Sequence, residues 1–416
     1  MKLRTDRRLI ASIAPSTRYV LAEITAPEAP RRTDRPPVNV GFVLDRSGSM
    51  GGQKIALARE AVERALALLQ PTDRFSLVVY DDQIDLVVGS TLATGEAKRN
   101  ALDRLRLIDA RGSTDLCGGW LRGAEQVASA LTDGSLGRCL LLTDGLANRG
   151  ETNHDALAGH ARELRKRGIA TSTFGVGADF DERLLQQMAQ EGGGHFYFIE
   201  QAAQIPDLLT SELGDALEVV AREVALLAEV PDGVGVRPLQ PLVTNEAGHL
   251  VRIELGDLVS AQELEVVLEV TFPVGHAGGH VPVKFSLTDR EGALGAVAGE
   301  LTWTVTSEHD NEAQPRDRVV DRAVATLWAA QARQAALDLN RDGHYEEARR
   351  LLEQAAAKIR AIAGHDHELL AIARDLVAEV RAYMHHMDAL SMKRAHFATY
   401  AVSNMRTVEG KTRKRS

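Results

Sequence analysis

The chain has 416 residues, 44% of them hydrophobic, which is enough apolar material for two or three cores and too much length for one. Its formal charge of −9 comes from 49 basic and 58 acidic residues mixed along the chain, so it offers no basic field suited to nucleic acid. Two cysteines, Cys117 and Cys139, are too few for a disulfide framework or a zinc cage, and no apolar run reaches the roughly 18 residues a membrane-spanning helix needs. With no apolar h-region after Met1-Lys2-Leu3-Arg4, the expected location is the cytoplasm, with no membrane partner.

Taken in chain order, Leu9 to Glu23 reads as two short strands around Ala14-Pro15-Ser16, and Pro27 to Pro37 reads as a linker rich in proline and arginine. Residues 1–37 are too small to fold alone and are expected to complete a β-sandwich formed later in the chain. From Val38 to about Val220, continuous apolar strands alternate with helix-period segments, the pattern of a parallel sheet covered on both faces. The predicted strands are Val38–Leu44, Phe75–Tyr80, Cys139–Leu142, Thr171–Val176 and His195–Ile199. The predicted helices are Lys54–Leu69, Lys98–Leu105, Leu116–Leu131, Asp155–Lys166, Arg183–Glu191 and Gln204–Val220. The fold class is therefore α/β, a doubly wound, mostly parallel sheet over residues 38–220. Residues 221–308 switch to period-two alternation with glycine- and proline-bearing turns, as in Glu223–Val230, His249–Leu255, Leu264–Phe272 and Val281–Leu287, which fits a β-sandwich. Residues 315–400 are alanine-rich with apolar spacings of three and four and read as a helical domain. Residues 401–416 end in Lys411-Thr412-Arg413-Lys414-Arg415-Ser416 and are expected to be a disordered basic tail.

Asp45-Arg46-Ser47-Gly48-Ser49 follows the strand Val38–Leu44 directly, so its side chains emerge at the carboxyl end of a sheet strand, where open α/β folds bind ligands. Gly112-Ser113-Thr114-Asp115 precedes a helix, and Leu141-Leu142-Thr143-Asp144-Gly145 ends another apolar strand. These three loops can meet at one sheet edge. Together they offer hydroxyls from Ser47, Ser49 and Thr114 and carboxylates from Asp45 and Asp144, an all-oxygen set suited to a hard cation such as Mg²⁺, with Mn²⁺ or Ca²⁺ as alternatives.

On these residues the chain resembles the von Willebrand factor A family, whose metal-ion-dependent adhesion site has the pattern Asp-x-Ser-x-Ser, then Thr, then Asp. The resemblance implies that Ser47, Ser49 and Thr114 ligate a cation, with Asp45 and Asp144 contacting it directly or through water. Mostly neutral ligands leave the ion much of its charge and an octahedral position open to a carboxylate, so the implied partner is a protein presenting Asp or Glu. The domain order also resembles soluble bacterial A-domain proteins, and its first two parts resemble inter-alpha-trypsin inhibitor heavy chains and calcium-activated chloride channel homologues. Some bacterial relatives work beside AAA+ ATPases, kinases or phosphatases, which is a setting for this chain too. The function this implies is a non-enzymatic, metal-dependent binding module. Two alternatives stand beside it: a metal-dependent hydrolase using a base such as His154 or His160, and a scaffold acting through its helices with a vestigial metal site.

Other motifs read as structural. Asp81, Asp82 and Asp85 are expected in a solvated loop. Asp338-Leu339-Asn340-Arg341-Asp342-Gly343 opens like a calcium loop, but Arg349 occupies the twelfth position where a bidentate Glu is needed, and with Tyr345-Glu346-Glu347 it reads as the junction of a helical hairpin. His365-Asp366-His367 and His385-His386 read as surface residues, because adjacent helical positions point apart. Gly192-Gly193-Gly194 and Gly175-Val176-Gly177 lack a phosphate-loop lysine and are expected in turns.

Overall fold

The computed structural model describes residues 1–29, 35–132 and 136–415. Residues 30–34 of the expected linker and Ser416 of the expected tail lie outside the described residues. The chain forms two compact units, Pro30–Glu218 with Ala389–Phe397, and Met1–Ala29 with Val219–Asp388 and Ala398–Ser416. Three strands come first: β1 (Lys2–Thr5), β2 (Leu9–Ala11) and β3 (Ser16–Thr25).

The α/β unit follows as β4 (Val38–Asp45), α1 (Gln53–Leu68), β5 (Arg74–Tyr80), β6 (Ile84–Leu92), α2 (Gly95–Leu105) and α3 (Leu116–Ala128). It continues with β7 (Leu136–Thr143), α4 (His154–Lys166), β8 (Ile169–Val176), α5 (Glu182–Glu191), β9 (Gly193–Ile199) and α6 (Ile205–Leu217). The sheet order is β6-β5-β4-β7-β8-β9, and every neighbouring pair is parallel except β5 with β6. All residues of β4 and β8 are buried, as helices on both faces of a parallel sheet require. Chain direction across the sheet reverses beside β4, with β5 on one side and β7 on the other, so the crevice between the carboxyl ends of β4 and β7 is the topological switch point. Helix α3 packs very closely under that crevice: a Cβ on Gly123 would sit 2.2 Å from Val43 Cγ2, and one on Gly119 2.3 Å from Tyr80 Cγ. Only glycine permits that approach.

Two strand expectations need correction in this unit. β6 was not anticipated, because it is an edge strand whose Ile84, Asp85 and Leu86 are exposed and which lacks a buried apolar run. Gly193 and Gly194 lie in β9 and not in a turn, since a Cβ on Gly194 would stand 2.2 Å from the Thr171 carbonyl oxygen. The first part of α11 (Ala389–Ser403), up to Phe397, also belongs to this unit, although the sequence reading assigned residues 315–400 together. Lys393 Nζ donates to the Phe180 carbonyl at 2.7 Å and to Glu182 Oε2 at 2.6 Å, and the Phe397 ring lies 5.9 Å from that of Phe196.

In the second unit, β1 and β3 join β14 (Glu263–Phe272) and β11 (Gly235–Pro238) in the order β1-β3-β14-β11. The facing sheet runs β12 (Thr244–Ala247), β13 (Leu250–Val259), β10 (Val219–Glu229), β15 (His280–Thr288), β16 (Val297–Thr306), β2. β3 pairs antiparallel with β14 from Thr25↔Glu263 to Ser16↔Phe272, so the chain's first strands close a sandwich completed more than two hundred residues later. The alternating residues Val20, Ala22, Leu226, Val266, Phe285 and Trp303 fill its core. Helices α7 (Glu308–Ala313), α8 (Arg318–Arg341), α9 (Tyr345–Ala363) and α10 (His367–Tyr383) complete the unit. Asn340, at the end of α8, is fully buried and donates to the carbonyls of Tyr383 at 2.9 Å and His385 at 2.7 Å. That residue is thus a structural tie at the helix junction.

The expectation of disorder over 401–416 is also corrected. Met405 enters the sandwich core, the Glu263 amide donates to the Arg413 carbonyl at 2.9 Å and the Arg415 amide to the Ala261 carbonyl at 2.9 Å. Edge pairing with the start of β14 orders this basic segment, a long-range contact that local composition does not encode.

Candidate metal centre

β4 delivers Asp45 to the switch point with its carboxylate fully buried. Its Oδ1 accepts the Ser47 amide at 2.7 Å and its Oδ2 the Thr143 hydroxyl at 2.6 Å, a bond that ties the end of β4 to the end of β7. After Asp45 the chain turns through a short 3₁₀ segment at Gly48–Met50 into α1. That turn brings Ser47 Oγ within 3.1 Å of Ser49 Oγ, and Ser49 Oγ donates to Asp144 Oδ1 at 2.6 Å. Asp144 is fully buried too, and its other oxygen pairs with Lys54 Nζ.

The third loop is anchored by backbone bonds. The Gly48 amide donates to the Gly112 carbonyl at 3.1 Å, Arg111 N to the Arg46 carbonyl at 2.7 Å, and Asp115 N to the Asp81 carbonyl at 2.8 Å. Thr114 N donates to Asn148 Oδ1 at 3.0 Å, which places the threonine against the segment after Asp144. A Cβ on Gly145 would lie 3.3 Å from Thr114 Oγ1 and 3.9 Å from Ser49 Oγ, so both hydroxyls border the same small space. Asp45, Ser47, Thr114 and Asp144 are buried and Ser49 is exposed, so the cluster opens to solvent on the Ser49 side.

Charge is what sets this cluster apart. Among the described residues no cation pairs with Asp45. Burial pushes its carboxyl up to about 6, against the opposing hydrogen bonds from Thr143 and Ser47, and the Asp144 carboxylate adds to the rise. The hydroxyl of Tyr80, beneath the site, is also driven well up by burial and then by Asp45. Among the described residues no three His, Cys, Asp or Glu side chains form a metal cage anywhere, so the oxygen set here combines three hydroxyls with two carboxylates. Such donors suit a hard divalent ion, whose charge would offset the two buried carboxylates.

Of the neighbouring acids expected in a solvated loop, Asp82 and Asp85 are exposed, and Asp81 is the one that departs from the expectation. Asp81 is fully buried and accepts Arg111 Nε at 2.7 Å and the Gln83 amide at 2.6 Å, with Arg46 Nε 3.2 Å away as an ion pair without hydrogen-bond geometry. Burial works to raise its pKa, but the Arg111 and Gln83 hydrogen bonds and the Arg46 charge outweigh it and hold the carboxyl below its ordinary value. Asp85 pairs with Arg46, and Asp82 pairs with Arg149 at 3.1 Å. His154 Nε2 lies 3.0 Å from Asp181 Oδ2, which engages the imidazole weighed as a general base. Cys117 and Cys139 are buried free thiols pushed up to about 11 and about 12 by burial. Sequence reasoning brought together the five candidate residues but missed Lys54, Thr143 and Asn148. Thr143 stood in the quoted motif beside Asp144, whereas nothing local marks a lysine in a helix as a site residue.

A doubly wound α/β domain with an oxygen-rich cluster at its switch point is the class of protein that this fold defines. Within that class, residues 39–211 match the von Willebrand factor type A domain family, and the α/β unit has the VWA-like fold. The chain is 28% identical over 191 residues to uncharacterized protein YfbK of Escherichia coli (strain K12), covering 45% of this chain and 33% of that protein. It is 25% identical over 370 residues to uncharacterized protein sll0103 of Synechocystis sp., covering 85% of this chain and 86% of that one. The solved von Willebrand factor type A protein from Catenulispora acidiphila superposes with a TM-score of 0.67 at 20% identity, covering 91% of this chain and 88% of its own, so its fold is shared beyond the VWA domain. The chain thus spans about a third of YfbK but most of sll0103. VWA domains commonly serve as metal-dependent protein-interaction modules. Among the described residues no helix is long and apolar enough to cross a membrane.

Proposed function

We propose that the VWA domain binds one divalent cation, Mg²⁺ first among the candidates, through the hydroxyls of Ser47, Ser49 and Thr114, with Asp45 and Asp144 contacting it directly or through water. The ion then captures an Asp or Glu carboxylate of a partner protein. The observation that carries this reading is the convergence of those five residues, from three separate loops, on one solvent-open cluster at the switch point. Three neutral hydroxyls leave the ion electrophilic, and the exposed side at Ser49 leaves room for an outside ligand. Leu146, 54% exposed directly after Asp144-Gly145, offers an apolar contact beside the incoming carboxylate. The protein's own part is to orient ligands: Thr143 holds Asp45, Asn148 holds the Thr114 loop, and the 3₁₀ turn pairs the two serines. Binding and not catalysis is the activity proposed.

The test is capture of partners by immobilised full-length protein with Mg²⁺ or with EDTA, beside a Ser47→Ala/Ser49→Ala variant. A partner held by wild type with Mg²⁺, and lost with either EDTA or the double variant, supports the reading. Partners retained under all conditions refute it.

A further inference from the structure

Two carboxylates, Asp45 and Asp144, are fully buried at one site, and among the described residues the only cation touching either is Lys54, whose ammonium sits on Asp144 Oδ2. The lysine is the second residue of α1, where the helix dipole disfavours positive charge, and no acidic residue shares that first turn. Its placement therefore serves no need of the helix. The ammonium lies 3.8 Å from where a Cβ on Gly177 would stand, an ordinary contact distance above the end of β8. Gly177 itself has φ +79, a conformation glycine adopts without strain. Lys54 is 29% exposed, long and unbranched, and can swing towards solvent without moving backbone.

Lys54 holds Asp144 Oδ2 while Ser49, a candidate ligand, bonds Oδ1, so an ion in the cluster and the ammonium share one carboxylate, and two cations on one carboxylate repel each other. We infer that Lys54 is a resident counter-ion that competes with the divalent cation for Asp144. It neutralises part of the site when metal is absent, swings away when the ion arrives, and so sets how much free metal the domain needs. This inference rests on the cation reading above and deepens it by naming what regulates the site. An opposite charge within about 4–6 Å lowers a carboxylate's proton affinity by about tenfold or more, and the same repulsion acts on a divalent ion.

The deciding experiment is calorimetric titration of the full-length protein with Mg²⁺, and separately with Mn²⁺, for wild type, Lys54→Met and Lys54→Arg, with thermal unfolding in EDTA as a check of folding. The expected result is that Lys54→Met binds either ion at least about tenfold more tightly than wild type and unfolds at lower temperature in EDTA. Lys54→Arg, which restores the charge, returns both values towards wild type. A purely structural role for Lys54 would move affinity in the opposite direction. Equal or weaker binding by Lys54→Met, while wild type binds normally, overturns the competition and leaves the cation site intact. Binding by none of the three proteins overturns both.

Discussion

Both units of this protein bury carboxylates, and the two at the switch point are partnered differently from those matched with arginines elsewhere. In the sandwich and helix unit, Asp321 is 1% exposed and receives the Arg316 guanidinium at 2.6 to 3.1 Å and Arg318 at 3.2 Å. Asp6, equally buried, accepts the Tyr19 amide at 2.8 Å and lies 3.4 Å from both Arg7 and Arg316. The α/β unit does the same away from its site, where Asp73 is matched with Arg35 and Asp81 with Arg46 and Arg111. At the switch point one ammonium serves two buried carboxylates, and Asp45 has hydroxyl and amide donors alone. In these examples the carboxylates that hold the fold are matched with arginines, whereas the two at the switch point have one ammonium between them.

The contrast can be broken most directly by removing the two switch-point carboxylates. Asp45→Ala or Asp144→Ala is expected to lower Mg²⁺ affinity by more than about a hundredfold, since each removes a ligand or its orienting partner. Titration calorimetry reads the loss, and wild-type affinity in either variant would sink the assignment. In the other unit, Asp321→Ala leaves the part-buried Arg316 only its longer contact to Asp6 and is expected to destabilise folding by about 3 kcal/mol in denaturant unfolding, with Mg²⁺ affinity unchanged. A loss of metal binding there would erase the distinction between scaffold and site.

A subtler expectation concerns pH. Because the folded-state pKa of Asp45 is raised to about 6 from 3.8, the folded protein holds that proton more tightly than the unfolded chain. The associated stability is fully present below about pH 3.8 and is lost as pH rises through about 6. In EDTA, wild type should therefore lose stability relative to Asp45→Asn between about pH 4 and 7, and saturating Mg²⁺ should suppress the difference. Parallel pH profiles for the two proteins in EDTA would contradict the burial argument. The smallest effect belongs to the rim, where the Arg149–Asp82 pair has side chains 54% and 37% exposed. Arg149→Ala should change unfolding stability by no more than about 0.5 kcal/mol, and a larger change would mean that the rim pairs are scaffold too.

Much of this was legible beforehand because the relevant signals are local. β4 announces itself as an unbroken apolar run ending in Asp45-Arg46-Ser47-Gly48-Ser49, and β7 ends in Thr143-Asp144 for the same reason. Strands buried on one face only, such as Leu264–Phe272, were visible through their alternation. What escaped was fixed by distant partners. β6 is half-exposed, β16 mixes threonines and glycine into its alternation, and the 404–415 segment is held by Met405 in the sandwich core and by pairing with Ala261 and Glu263. Lys54 reads as an ordinary helical residue until Asp144, ninety positions later, is folded against it. Asp81 looked solvated because its arginines come from other loops.

The central claim is that hydroxyls from two loops and carboxylates from β4 and from the loop after β7 enclose one cation. Crystals of the full-length protein soaked in Mn²⁺ and measured at the manganese absorption edge test it most directly. A single anomalous peak bordered by the Ser47, Ser49 and Thr114 hydroxyls, and missing in Ser47→Ala/Ser49→Ala crystals, is the predicted result. Manganese bound elsewhere with this cluster empty, or a peak unchanged in the double variant, would contradict it.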